Sequence, residues 1–231
     1  MDANVTFSTD MALVPAGEFQ MGDPGGREDE RPVHRVYVSA FRMAVCPVTN
    51  REYAVFLEAT EHEEPRFWND VTFTEPLQPV VGVSWFDAVA YCDWLSSATG
   101  RAYRLPTEAE REKAARGGSD GARYPWGDEP PADGGRSAQD APNSVGQTAP
   151  NGYGLFDLGY NVHEWCLDWY DRAYYGASPI RDPGGPATGT RRASRGGAWR
   201  HQIKISRCAA RSSLPPSFRY NDYGFRIAMP E

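Results

Sequence analysis

Three oxygen-bearing side chains, those of Asp157, Asn161 and Glu164, lie within eight residues of one another in residues 150–170. Carboxylate and amide oxygens are the ligands that a hard cation such as calcium prefers. Gly159 leaves the backbone between them free to turn its carbonyl groups toward the same point. The spacing predicts a structural calcium site. A hydrogen-bonded turn that holds no ion is the alternative.

The residues next to this segment indicate that it is buried. Leu155 and Phe156 precede the oxygen cluster, and Trp165, Trp169 and Tyr170 follow it. Large aromatic side chains beside carboxylates fit an enclosed site better than a solvated acidic face, which would need no tryptophans. We therefore expect the cluster to lie against the core of the protein.

The elements that must position this segment are short. Capping-box patterns, in which a serine or threonine is followed three residues later by an acidic residue, predict helices that start after Ser84 and Thr107. Thr49 or Asn50 can cap another helix. The predicted helices span about 50–59, 85–98 and 108–116. Alternating apolar residues predict a β-hairpin over 11–22, turning at 15–17, and a strand over 36–45.

Length and composition favour one loop-rich domain covering residues 1–231. The chain is 40% hydrophobic, and its 23 glycines and 19 prolines follow no repeat. Neither a secretory signal nor 18 consecutive apolar residues occurs, so a soluble cytoplasmic protein without membrane contact is expected. The four cysteines are widely spaced and predict reduced, buried thiols rather than a zinc site. They are Cys46, Cys92, Cys166 and Cys208.

Several motifs together resemble the formylglycine-generating enzyme family, also called sulfatase-modifying factors. They are N-G-Y-G-L-F-D-L-G-Y-N-V-H-E-W at 151–165, R-L-P-T-E-A-E at 104–110, R-C-A-A-R-S at 207–212 and Y-G-F-R-I at 223–227. The resemblance runs from about Met11 to Ala228 and implies an α+β, complex C-type-lectin-like fold. This sequence differs from the family's usual pattern at Arg111 and His163, where the family has tryptophan, and at Tyr160, where it has glycine.

The resemblance also implies two metal sites. Its calcium ligands would be the side chains of Asp157 and Glu164 and the carbonyl groups of Tyr160 and Val162. Copper(I), in the generating enzymes, is held by two cysteines in the segment that corresponds to 199–206. That segment has no cysteine here, so copper is not expected and the chain is predicted not to be an active formylglycine-generating oxidase.

The first function that this sequence suggests is a calcium-stabilised binding module. A rigid fold with adaptable C-terminal loops would recognise a protein or a small anionic ligand. Variable proteins diversified by retroelements use the same family fold and vary similar C-terminal positions, so the resemblance also allows this chain to be one of them. The alternative is that Ile203 and Ile205 mark an ordinary strand with solvated polar neighbours. The residues predicted to bind are Trp199, Arg200, His201, Lys204, Arg219, Tyr220 and Asn221.

The second function is a metal-dependent oxidase or oxygenase with an altered site. Counting from the glycines of the R-G-G-A-W motif places His201 at the first copper cysteine, and imidazole suits copper and iron. His163 could be its partner. The four histidines have no ligand-like spacing, however, and a lone histidine is more often a hydrogen-bonding structural residue.

The two ends of the chain differ in net charge. Its net charge is −7, yet residues 181–231 hold nine arginines and one lysine against three acidic side chains. The acidic total argues against broad nucleic-acid binding, while the basic C-terminal segment could face an anionic partner. The simpler interpretation is that these arginines are paired inside the fold.

Overall fold

The computed structural model describes residues 10–130 and 140–231. Its three α-helices are α1 (Asn50–Thr60), α2 (Trp85–Thr99) and α3 (Glu108–Arg116). All three begin at a capping box and end at a residue in the left-handed conformation. Each cap contributes about 1 kcal/mol, because its side chain satisfies a backbone N–H that the helix leaves free. The three predicted helices are confirmed.

Strands and single 3₁₀ turns fill the rest of the regular structure. The strands are β1 (Met11–Val14), β2 (Gly17–Met21), β3 (His34–Val38), β4 (Phe41–Ala44), β5 (His163–Trp169), β6 (Arg192–Arg195), β7 (Arg211–Leu214), β8 (Tyr223–Gly224) and β9 (Ala228–Pro230). The 3₁₀ turns are Glu28–Glu30, Tyr174–Ala177 and Ile203–Ile205. None of the described helices is long and apolar enough to cross a membrane.

The strands form three small sheets, in the orders β1-β4-β9, β2-β3 and β7-β6-β5-β8. The predicted hairpin over 11–22 is therefore wrong in its pairing, although both of its strands exist. β1 pairs with β4 and β2 with β3, so the turn at 15–17 carries the chain from one sheet to another. The strand predicted over 36–45 is likewise divided between β3 and β4.

Helix α3 lies at the centre of the molecule. All nine of its residues are buried, although six of them carry a charge. Several of these charges have partners from distant segments: Glu108 accepts from Arg195 and Arg211, and Lys113 donates to the carbonyl oxygens of Pro15 and Gly17. A buried ion must be paired, because the desolvation of an isolated charge costs several kcal/mol. These pairs fix α3 against two sheets.

Most C-terminal arginines are paired inside this framework. Arg195, Arg211 and Arg226 are at most 2% exposed, and Arg207 bridges the carboxylates of Asp23 and Glu30. The interpretation that the basic C-terminal segment is neutralised internally is confirmed for these residues. The excess charge read from the sequence therefore overstates the positive surface of this end of the chain.

Candidate functional site

The candidate site lies where β5 meets β8. These two strands run parallel, with His163 opposite Tyr223, and the backbone N–H of His163 donates to the carbonyl oxygen of Asp222 at 2.8 Å. This pairing brings the Asp222 side chain beside His163 across 59 positions of sequence. Both residues are buried, at 3% exposure for His163 and 1% for Asp222.

A turn after β6 adds a third side chain to the pair. The backbone N–H of Trp199 donates to Asn161 and that of His201 to Ala198, at 2.9 and 2.8 Å, which fixes the turn over β5. His201 Nδ1 then lies 3.0 Å from His163 Nε2, and its Nε2 lies 3.5 Å from an Asp222 carboxylate oxygen. His163, His201 and Asp222 therefore form one cluster.

The two imidazole rings of this cluster are neutral near pH 7. Burial, together with the nearby His201 and Arg200, lowers the pKa of His163 to about 3. Burial also lowers the pKa of His201, although Asp222 opposes that shift. Neutral imidazoles can each donate one hydrogen bond and can accept another bond or a metal ion at the second nitrogen. Arg200 balances the Asp222 carboxylate through two contacts of 2.9 Å.

Such a cluster can act as a hydrogen-bonded chain or as a metal site. One ligand atom from each residue can be chosen so that the three atoms lie within 4.8 Å of one another. Two nitrogens bound at about 2.1 Å to one ion, at a right angle, lie about 3 Å apart, as the two imidazole nitrogens do here. Two histidines and a carboxylate form the ligand set of non-haem iron oxygenases.

The residues predicted to bind a ligand are only partly assembled in one place. Trp199 donates from Nε1 to the Asn221 carbonyl at 3.3 Å, and Arg200 and His201 lie over Asp222. Lys204 is exposed on the same loop. The alternative of a strand at Ile203 and Ile205 is wrong, since both residues belong to a 3₁₀ turn.

Arg219 and Tyr220 behave differently from each other. Arg219 donates to Asp87 at the start of α2 and to Glu63, so its guanidinium turns away from the histidine cluster. Tyr220 is 39% exposed, and its ring lies 6.3 Å from that of Tyr223. A ligand-binding role for either side chain stays a prediction, with Tyr220 the more accessible of the two.

Asp222 is the residue of this site that the sequence did not reveal. It stands directly before the Y-G-F-R-I motif, which is the only signal that could have drawn attention to it. His163 and His201, suggested as possible partners, are brought together. His62 instead pairs with Asp87, away from the cluster.

Comparisons with known proteins fit this architecture. A family model described as a sulfatase-modifying factor enzyme 1-like domain matches residues 2–230. The chain belongs to the sulfatase-modifying factor family. It is 36% identical to the formylglycine-generating enzyme of Streptomyces coelicolor, over 93% of this chain and 87% of that protein.

Two further relatives of this family member bear on its architecture. Serine/threonine-protein kinase pkn1 of Chlamydia pneumoniae is 37% identical over 95% of this chain, which spans only 38% of that kinase. The structure of Treponema denticola variable protein 1 superposes with a TM-score of 0.83 at 26% identity, covering 96% of this chain and 95% of that one. The predicted α+β, C-type-lectin-like fold is confirmed.

The cysteine thiols of this family member are mostly buried. Its four cysteines are free, and Cys92, Cys166 and Cys208 are buried. Burial raises the pKa of Cys208 to about 12 and that of Cys46 to about 11, so both stay protonated near neutral pH. A thiolate is the form that binds metal. Residues 199–206 supply His201 to the candidate site and no sulfur.

The oxygen groups of the cluster around Glu164 have other contacts in the described structure, and calcium binding stays a prediction. Asp157 accepts a hydrogen bond from the Gly146 N–H at 2.8 Å, while the amide of Asn161 donates to Asn143. The Tyr160 carbonyl accepts from the Val162 N–H at 2.9 Å. The side-chain oxygen Oδ1 of Asn161, in contrast, is buried and has no hydrogen-bond partner among the described residues.

Glu164 itself is bound by arginines. Arg111 and Arg226 both donate to its carboxylate at 3.0 Å or less, and the exposure of Glu164 is 0%. Burial by itself would raise the pKa of this carboxyl, yet the two guanidinium groups hold its pKa below the usual range. Two guanidinium groups therefore already offset the charge of this carboxylate.

Proposed function

We propose that this chain is a ligand-binding member of the sulfatase-modifying factor family that does not carry out copper-dependent oxidation. The observation that supports this most is the loop surface formed by Trp199, Arg200 and His201 over Asn221 and Asp222. Its side chains are partly exposed, while its backbone is tied to buried strands. Rigid loops that present aromatic and arginine side chains are typical of recognition sites.

The chemistry of this surface indicates the kind of ligand. Arg200 keeps 42% of its side chain exposed while it contacts Asp222, and exposed Lys204 adds a second positive charge. Trp199 and Tyr220 add apolar area on either side. A small anion with an aromatic or apolar part, or an acidic loop of a protein, matches this combination. Treponema denticola variable protein 1 has the same fold, and retroelement-driven diversification of these loops belongs to the same proposal.

The test is a binding measurement on matched variants. Lys204→Ala and Tyr220→Ala should leave the melting temperature nearly unchanged, whereas Arg200→Ala should lower it, because that variant removes the cation that contacts the buried Asp222 carboxylate. All three variants should weaken saturable binding of a carboxylate- or phosphate-bearing ligand from an array. Arg219→Ala serves as the control, because its guanidinium contacts Asp87 and Glu63 instead. If Arg219→Ala weakens binding and the other three do not, the proposed surface is wrong.

A second function is favoured by one specific observation, the 3.0 Å contact between His163 and His201 beside Asp222. We propose it as a redox-metal site that would serve an oxidase or oxygenase. When bound, the metal would supply oxygen activation. The protein would supply two neutral imidazoles, one carboxylate and, through Arg200, a charge that orients that carboxylate.

Metal analysis separates the two functions. Protein purified without chelator and titrated with iron(II), copper or cobalt(II) should bind about one equivalent if the cluster is a metal site, and His201→Ala should abolish that binding. Cobalt(II) gives a visible spectrum that reports nitrogen ligation without any activity assay. A failure of wild-type protein to bind any of the three ions excludes the second function and leaves the first intact.

A further inference from the structure

Glu164 stands between two guanidinium groups in the interior. Arg111 donates from Nε to Oε2 at 2.6 Å, and Arg226 donates from Nε to Oε2 and from Nη2 to Oε1, each at 3.0 Å. The exposure of all three side chains is 2% or less. Both carboxylate oxygens therefore have charged donors, and the group carries one excess positive charge.

The same two arginines also donate hydrogen bonds to carbonyl oxygens of the neighbouring loop. Arg111 Nη2 donates to Leu158 at 2.8 Å, and Arg226 Nη2 donates to Phe156 at 2.7 Å. A Cβ atom placed on Gly196 would lie 3.1 Å from Arg111 Nη2 and 3.1 Å from the Leu158 oxygen. The tip of Arg111 is thus enclosed by loop backbone, in contact with oxygens of the kind that a hard cation takes as ligands.

We propose that the Arg111 guanidinium is the resident cation of the 156–164 loop, and that it holds the loop in place of a calcium ion. Arg111 comes from α3, and its planar group bridges a carboxylate and a carbonyl as a metal ion would bridge them. A divalent ion next to Glu164 would stand close to two positive charges, which repel it. The loop below the candidate site is therefore ordered by the chain itself and does not depend on the calcium concentration.

The position of Arg111 explains how its guanidinium can take the place of a calcium ion in this loop. α3 is fixed at its other charged positions, by Glu108 to Arg195 and by Lys113 to residues 15–17. The guanidinium consequently reaches the loop from a helix that is held on both sides of Arg111. Preorganisation of this kind lowers the entropy cost of holding a buried charge in one geometry.

The experiment compares calcium and chelator on wild-type protein. We expect no stoichiometric calcium by elemental analysis after dialysis against millimolar calcium chloride, and the same melting temperature in calcium as in EGTA. One equivalent of bound calcium, or a lower melting temperature in EGTA, would overturn the proposal.

Two variants test the role of the charge. Arg111→Leu should melt well below the wild-type protein in both buffers, because it leaves Glu164 with one partner and the Leu158 carbonyl with none of its present charge-assisted bonds. Arg111→Lys retains the charge and should melt between the two. Melting of Arg111→Leu at the wild-type temperature would show that the guanidinium does not hold the loop. If Arg111→Leu fails to fold, the calcium content and melting temperatures of the wild-type protein still test the proposal.

Discussion

Acid should destabilise this protein through His163 in particular. Its ring is buried and its pKa is about 3 in the folded state, against an ordinary value of 6.5. In the unfolded chain it takes up a proton below pH 6.5, whereas in the folded chain it stays neutral until about pH 3. The stability that neutral His163 contributes is therefore complete above pH 6.5 and is lost as the pH falls toward 3.

The size of the effect follows from the same two values. At pH 5, about 1.5 units below the pKa of histidine in the unfolded chain, protonation stabilises the unfolded state relative to the folded state by about 2 kcal/mol. For a domain of 150–250 residues, that lowers the melting temperature by about 4 to 8 °C. The assay is urea unfolding followed by tryptophan fluorescence at pH 7 and pH 5, since the chain has seven tryptophans.

The comparison with His163→Gln isolates this residue. Glutamine can still donate to His201, but it does not titrate, so the difference in unfolding free energy between wild type and variant should shrink or reverse from pH 7 to pH 5. Carboxylates elsewhere change both proteins alike and cancel. His201→Gln, at a half-exposed ring, serves as a control with a smaller expected effect. An unchanged difference between wild type and His163→Gln at the two pH values would refute the argument.

Three further outcomes are expected. Glu108→Gln should cost about 3 to 5 kcal/mol in urea unfolding, because it leaves Arg195 and Arg211 buried beside a neutral group; a loss below 1 kcal/mol would mean that these charges find other partners. Gly196→Ala should lower the melting temperature, since its φ of +83° and the 3.1 Å approach to Arg111 leave no room for a methyl group, and a wild-type melting curve would contradict this. The protein should yield no aldehyde from a sulfatase-type cysteine peptide with copper, and copper-dependent aldehyde detected by mass spectrometry would restore the oxidase function.

The helices could be predicted from the sequence because their signals are local. Thr49, Ser84 and Thr107 each stand three residues before the acidic residue that completes the cap, and all three boxes form. Strand pairing could not be predicted in the same way. The choice of β4 rather than β2 as the partner of β1 is made by tertiary packing, and alternation within a strand shows its buried face but not its neighbour.

The candidate site, too, could be predicted from the sequence only in part. His163 and His201 could be named from motif positions, whereas Asp222 joins them only through the parallel pairing of β5 and β8. The oxygen cluster at 157–164 was visible in the sequence, and so was the departure from the family's wording at Arg111. Whether that arginine pointed toward the cluster depends on the orientation of α3, which lies about 50 residues earlier in the chain.

The strand β9 completes a sheet whose other two strands belong to the first fifth of the chain. It pairs with β4, and Arg226, just before it, donates to the carbonyl oxygens of Ala44 and Val45. A ribosome makes the chain from its N-terminus, so this partner reaches β4 only after some 180 further residues have been added. During that time β4 presents an unpaired edge, of the kind that chaperones cover and that other chains can join. Completion of this domain is thus a late event in its own synthesis, and the yield of folded protein should depend on how well the cell protects that edge.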